Sequence, residues 1–306
     1  MRTRSTILII MAGLLLALVG CNLAPANNQP VDTLPAEPQP LQPTDTPAPS
    51  LTPTPEIAFA ALVNGEGIRM TSYDASLLQF NQALEDFPDL LQPGQTAKDR
   101  VLQELINRIL LAQAAREAGF TADLQMTVER LDKLIKQAGS NEAFELWLTE
   151  NGYTLETFSY ELPLEIEAAW QRDQIAATVP DEVEQVQARQ MLFYDPFLAS
   201  RASDQLKAGF AFETIAANND PNDLGYLDWF PPGVLLFPEL EEAAFSLQPG
   251  QHSEVIETKA GYHILYVIDK GLHPLSNEIR LILEERAVGA WLEEQRSQAN
   301  ILILIP

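Results

Sequence analysis

The sequence predicts an α+β protein: a helical part, a segment of short strands and helices, and a closing helix and strand. Three observations predict this. Apolar residues recur at helical spacing from about residue 98 to 176, and again from 275 to 300. Between those stretches the pattern changes to short apolar runs, Val186 to Phe193 and Gly261 to Val267, separated by Asn-, Pro- and Gly-containing turns. The last apolar run, Ile301 to Ile305, reads as a strand that can pair with a hairpin at Ala60 to Ile68. At 306 residues the chain is long enough for two cores.

The elements follow in order. Asn64-Gly65 tolerates the positive φ of a tight turn and is flanked by apolar residues, which predicts the hairpin. Thr71 or Ser72 caps a helix running to about Leu84, and two prolines and a glycine make Asp86 to Gln95 a loop. A helix from Lys98 to Ala118 carries Val101, Leu102, Leu105, Ile106, Ile109 and Leu110 on one face, and Gly119 ends it. Thr121 opens the next, with Leu124, Val128, Leu131, Leu134 and Ile135 on one face. Gly139-Ser140 separates it from a short helix bearing Phe144, Trp147 and Leu148, which Gly152 ends. Thr154 caps a helix to about Ala176, and Pro163 should kink it.

The middle segment begins with the strand Val186 to Phe193, a helix of small residues at Ala199 to Ala208, and a short helix near Phe210 to Ala217. An acidic turn follows at Asn218-Asn219-Asp220-Pro221, then a strand end at Trp229-Phe230, the loop Pro231-Pro232-Gly233 and a helix from Pro238 to Phe245. Ser253 to Thr258 and Gly261 to Val267 are the closing strands. Leu275 to Asn300 is a helix with Ile279, Ile282, Leu283, Val288, Trp291 and Leu292 apolar.

The first twenty residues belong to neither core. Arg2 and Arg4 form a positive region ahead of an apolar run, Ile7 to Val19, too short for a stable membrane span. Leu18-Val19-Gly20-Cys21 resembles a bacterial lipobox, which implies that Cys21, the one cysteine, carries a lipid after cleavage. A single thiol excludes an intrachain disulfide framework. From Asn22 to Glu56 the chain is rich in Pro, Thr, Gln and Ala, and reads as an extended spacer. The formal charge of -24 argues against nucleic acid and leaves the lipid, rather than the protein surface, to hold a membrane.

The succession of parts from Val186 to Lys270, with PELEEAAFSLQPGQ and GYHI at their spacing, resembles a parvulin-type peptidyl-prolyl isomerase domain. The hairpin, helices and break phrase from about Ala60 to Trp170, above all Phe144 to Phe158, resemble the N-terminal domain of SurA-type and PrsA-type foldases. These resemblances imply a helical chaperone domain, residues 57–182 with 273–306, into which a parvulin domain, residues 183–272, is inserted as a small antiparallel sheet flanked by helices. Residues 1–20 are then a lipoprotein signal peptide and 21–56 the linker.

The resemblance also implies a site. His263 falls on the family's last-strand histidine and Asp220 on its cysteine-or-aspartate position. Gln190 replaces the first-strand histidine, so that position can exchange hydrogen bonds but cannot titrate near neutral pH. Leu240 matches the aromatic of an apolar cup, Leu235 or Leu236 its methionine, and Phe245 lies on the helix backing it. Thr258 stands where the family often has a hydroxyl, while Ala260 replaces a common serine. His252 and His273 read as exposed and uninvolved, and three scattered histidines give no metal-site spacing. The expected function is that of an extracytoplasmic isomerase and chaperone for unfolded exported polypeptides, lipid-anchored at the cell envelope and needing no cofactor or metal. The rival is a non-enzymatic holdase whose domain only binds peptide.

Overall fold

The computed structural model describes residues 57–218 and 224–305. Cys21, the spacer and Asp220 lie outside the described residues. The first described strands, β1 (Phe59–Val63) and β2 (Glu66–Arg69), form the expected hairpin, with Asn64 and Gly65 at φ 53 and 88 in its turn. Both angles are positive, the requirement that selects Asn-Gly here. On its other edge β1 pairs antiparallel with β7 (Ile301–Ile303), giving a sheet of order β2-β1-β7. The Asn64 carboxamide oxygen accepts from the Asn300 amide at 2.8 Å, and its nitrogen donates to Gln113 Oε1 at 2.9 Å. One turn residue thus ties the first hairpin, the last strand and a helix together.

That helix is α2 (Ala97–Glu117), the centre of the first core. Thr96 caps it in a reciprocal box with Asp99. Its buried stripe, from Val101 to Ala115, packs between the sheet, α1 (Met70–Asp86) and α5 (Leu155–Ala176). The last helix, α9 (Asn277–Gln298), lays Val288, Trp291 and Leu292 onto the same core. Helices α3 (Leu124–Ala138) and α4 (Asn141–Glu150) lie outside it. Phe144, Trp147, Tyr153 and Phe158 make an aromatic cluster that fixes α4 against the start of α5.

Two expectations need correction. Neither Thr71 nor Ser72 caps α1, which begins at Met70 with no side-chain cap. Ser72 is instead buried inside the helix, donating to Glu161 Oε1 at 2.5 Å. Asp123, not Thr121, caps α3. The apolar face of α3 is only partly buried: Leu134 is buried, but Leu124 is 79% and Val128 47% exposed. Pro163 lies within one continuous helix, eight residues after its first residue, where the chain does not stop.

The middle segment is a four-stranded antiparallel sheet of order β4-β3-β6-β5. Its spine is β3 (Glu182–Phe193) paired with β6 (Gly261–Pro274), in register from Glu182↔Pro274 to Phe193↔Tyr262 apart from a bulge at Gln187/Ala188. Both strands begin or end well beyond the apolar runs read from the sequence, because their outer halves form a two-stranded ribbon. At its base Gln185 is buried and donates to the His273 and Pro274 carbonyls at 2.9 and 3.2 Å. Strands β4 (Tyr226–Phe230) and β5 (Ile256–Thr258) flank the pair. One face buries Met191, Phe193 and Ile264 against α6 (Pro196–Lys207) and α7 (Phe212–Ala216). The opposite face buries Val186, Ala188, Leu265 and Val267 against Leu240 and Ala244 of α8 (Pro238–Ser246). Alternation along β3 and β6 therefore serves two cores at once.

In the helical core Glu161 is buried between Ser72 and Arg108, whose Nη1 lies 3.2 Å from its second oxygen. Removing one partner of such a pair leaves a carboxylate without its countercharge. An Arg108→Met variant should lose about 3 kcal/mol in urea denaturation, and Arg108→Met with Glu161→Leu should recover part of it. Equal stability of wild type and single variant would refute the pairing.

Candidate active site

His263 sits in β6 directly opposite Leu192 of β3 on one side and Ile256 of β5 on the other. Strand alternation points it to the face that carries α8, at the end of the second core. It is 3% exposed. Its Nε2 lies 2.9 Å from Thr258 Oγ1, and that hydroxyl also accepts from the Ala260 amide at 3.0 Å. Thr258 thus holds one ring edge. Nδ1 is buried without a hydrogen-bond partner among the described residues. Burial disfavours the charged ring and holds its pKa below the usual histidine value.

Gln190 reaches the same place from β3. It pairs with Leu265, so it stands one step along the face from His263 rather than directly across from it. The register is fixed by a close crossing: Gln190 donates its amide to the Gly225 carbonyl at 2.7 Å. A Cβ on Gly225, whose φ is +66, would overlap the Gln190 carbonyl, so only glycine fits.

A cavity of about 230 Å³ opens between these side chains and the start of α8. Gln190, His263, Leu235, Leu236 and Leu240 all line it. Leu192, Leu227 and Ala260 complete its floor and rim, with Phe237. Leu240 is buried at its base, whereas Leu236 is 85% exposed at its edge. The loop carrying both leucines is pinned by Glu241, whose Oε2 accepts from the Val234 and Leu235 amides at 3.1 and 3.3 Å.

Two residues singled out in the sequence stand elsewhere. Phe245 does not line the cavity; it packs edge-to-face on Phe230 at 6.1 Å, with Lys270 Nζ bonded to its carbonyl at 2.6 Å. Thr258 acts through His263 and is not itself on the cavity wall. His273 is half-buried and tilted over Trp229 with ring centroids 3.6 Å apart, and His252 is half-buried with its Nδ1 3.0 Å from the Ser253 carbonyl oxygen, so neither is a free surface imidazole. Phe237 was not anticipated. It precedes Pro238, and an X-Pro step before a helix reads as a boundary rather than as a wall residue.

This is an antiparallel sheet holding a buried imidazole and an amide at the rim of an apolar cavity, attached to a helical body. Residues 196–269 match the PPIC-type PPIASE (rotamase) domain, and residues 53–152 match the SurA-like N-terminal domain. It is 29% identical to the foldase protein PrsA of Halalkalibacterium halodurans over 60% of this chain and 61% of the relative. It is 30% identical to the chaperone SurA of Nitrosococcus oceani over 39% of this chain and 33% of the relative. The match therefore spans less than two thirds of either relative. A solved structure of the peptidylprolyl isomerase PrsA from Bacillus anthracis aligns with a TM-score of 0.44 at 22% identity, covering 64% of this chain and 96% of that one.

The depressed pKa of His263 has a defined sign in stability. The unfolded chain takes up its proton near pH 6.5, and the folded chain only at lower pH. The stability contributed by the neutral ring is complete above the unfolded value and is lost as pH falls from there through the folded value. The urea midpoint should therefore drop between pH 7 and 5, and His263→Gln should reduce that drop. An unchanged pH slope in the variant would show that His263 titrates alike in both states.

Proposed function

We propose that this chain is an extracytoplasmic folding factor that isomerises X-Pro bonds and shields unfolded exported polypeptides. The observation that carries the reading is the cavity joining His263 and Gln190 to the leucines of the α8 loop. Rotation about an X-Pro bond faces a barrier of about 18–20 kcal/mol, because the planar amide is conjugated. The barrier falls where the twisted, less conjugated amide is preferred over the planar one. An apolar cavity takes the proline ring out of water, and fixed polar groups at its rim then act in a medium of low dielectric. His263 suits such a role: Thr258 fixes one ring nitrogen, and the other is buried without a partner among the described residues. Gln190 offers a donor and an acceptor beside it. No bond to the protein has to form.

The helical part suits the capture of unfolded chains. Leu124, Val128 and Leu146 stand 79%, 47% and 60% exposed on α3 and α4. Exposed apolar side chains of this kind offer surface on which an unfolded polypeptide can bind. The lipobox-like sequence before Cys21 supports a lipid anchor, with residues 22–56 as the spacer, and an extracytoplasmic location follows from that anchor. The holdase reading is favoured by two replacements, the glutamine at position 190 in place of the first histidine and Ala260 in place of the common serine.

A protease-coupled proline isomerase assay on the intact chain tests the reading. Catalysis should be present and should fall at least tenfold in His263→Ala. Gln190→His places an imidazole beside His263 and should raise turnover several-fold if paired histidines drive it; tenfold corresponds to about 1.4 kcal/mol. Peptide binding without catalysis in every variant would leave the holdase. For the anchor, Cys21→Ala should move the protein from the membrane to the soluble fraction, and an unaltered distribution would end the lipoprotein assignment.

A further inference from the structure

We propose that the free edge of β7 is an interface between two copies of this chain, in which a second β7 pairs antiparallel with the first about an axis at Ile303. The surface lies in the helical part, and the inference does not depend on the isomerase reading.

β7 closes one side of the sheet of order β2-β1-β7, so only one of its edges is paired. The register tells which backbone groups are left. Leu304 donates its amide to the Ala60 carbonyl at 2.9 Å, and Asn64 donates to the Asn300 carbonyl at 2.9 Å. Inward and outward groups alternate along an antiparallel strand, so Asn300, Leu302 and Leu304 are turned towards β1. The amides and carbonyls of Ile301, Ile303 and Ile305 are turned away from it.

The side chains make this edge unlike the others. Among the described edge strands, β2 carries Glu66 and Arg69, β4 carries Asp228 and β5 carries Glu257. Charges on an edge discourage a further strand from pairing with it. β7 has none: residues 301–305 read Ile-Leu-Ile-Leu-Ile in a chain of formal charge -24. Ile303 pairs with the buried Ala61 and so lies on the core side of the sheet, yet it is 54% exposed. Leu302 and Leu304, on the other side, are exposed as well. Both faces of the strand are apolar and open.

The same residues say what covers the edge. Their order is a palindrome. An antiparallel pair centred on Ile303 sets that residue against its own copy, Ile301 against Ile305 and Leu302 against Leu304. In this register every outward amide meets an outward carbonyl, because positions 301, 303 and 305 become the hydrogen-bonded ones. The contact is isologous, so it closes with two copies and joins their sheets into one. The spacer of the same chain does not fit the edge. Between Pro25 and Pro55 no more than four consecutive residues are free of proline, which has no amide for a ladder. A client strand would meet the backbone groups, but nothing in it answers the Ile-Leu alternation about a centre.

The test is sedimentation equilibrium of the intact chain. We expect a monomer–dimer equilibrium with a Kd of about 10–100 μM, in keeping with an interface at the small end of the range. Ile303→Lys and Ile303→Glu each set like charges against one another and should weaken the dimer at least tenfold, whereas an equimolar mixture of the two should dimerise again. Ile303→Pro removes an outward amide and none that bonds to β1, so it should abolish the dimer and keep the far-ultraviolet circular dichroism of wild type. Thermal unfolding checks each variant; if Ile303→Lys is not folded, Leu304→Lys takes its place with the same expectation. A wild type that stays monomeric to about 300 μM would overturn the proposal. So would a dimer indifferent to the folded lysine variant, or a Lys–Glu mixture that stays monomeric. Binding of an extended Ala-Val-Ile-Val-Ile-Lys peptide at β7 of a chain that remains monomeric would give the edge to a client instead.

Discussion

The pairing of β3 with β6 is the constraint on which the rest of the molecule depends. Its outer half joins the two segments that leave and re-enter the helical part, with Gln185 closing the base. Its inner half carries a core on each face. A change of register by one residue would turn one strand over against the other, sending Met191 towards α8 if β3 slipped, or Ile264 towards α8 and His263 away from the cavity if β6 did. The bulge at Gln187/Ala188 marks where the ribbon ends and the two-faced sheet begins. The position of the site is therefore a property of strand register before it is a property of any side chain.

Within that frame the site is held by small, separate devices. Thr258 fixes the ring edge of His263, Gly225 allows β4 to approach the backbone of Gln190, and Glu241 pins the loop bearing Leu235 and Leu236. None of these touches the cavity as a broad contact. Each removes one freedom from a residue that does. Such support lets a cavity wall of flexible leucines keep a shape, and it costs only one buried nitrogen left without a described partner.

Much of this was legible in the sequence, and the misses share a cause. Helical spacing located α2 and α5 because their apolar residues all face one core, and Thr154 was read as a cap because capping is local. Ser72 misled because its partner, Glu161, is remote in sequence, and a hydroxyl near a helix start looks like a cap until that partner is known. Leu124 and Val128 share the helical spacing of α3 and yet stand exposed, because periodicity reports amphipathicity and not what covers it. In the site, Gln190, His263, Leu235, Leu236 and Leu240 were all recognisable by resemblance, and the fold brings them to one cavity. Phe237 was not, since a residue before a helix-opening proline reads as a boundary, and only the fold brings its ring to the cavity. Phe245 lies on the expected helix, on a face that packs on Phe230 and not on the cavity.

The sheet β2-β1-β7 carries a consequence for the order in which the molecule assembles. Asn64 and Asn300, which bond to one another, are 236 residues apart. During synthesis the first strand therefore has only its hairpin partner, and its second edge stays open until almost the whole chain exists. Closing so long a loop is slow, although each doubling of its length costs only about 0.6 kcal/mol. Prior folding of the middle segment shortens the path, because it brings Glu182 and Pro274 side by side as a strand pair. The segment that bears the cavity is in this sense a splice for the body it hangs from: its paired ends hold together the two halves of the helical core.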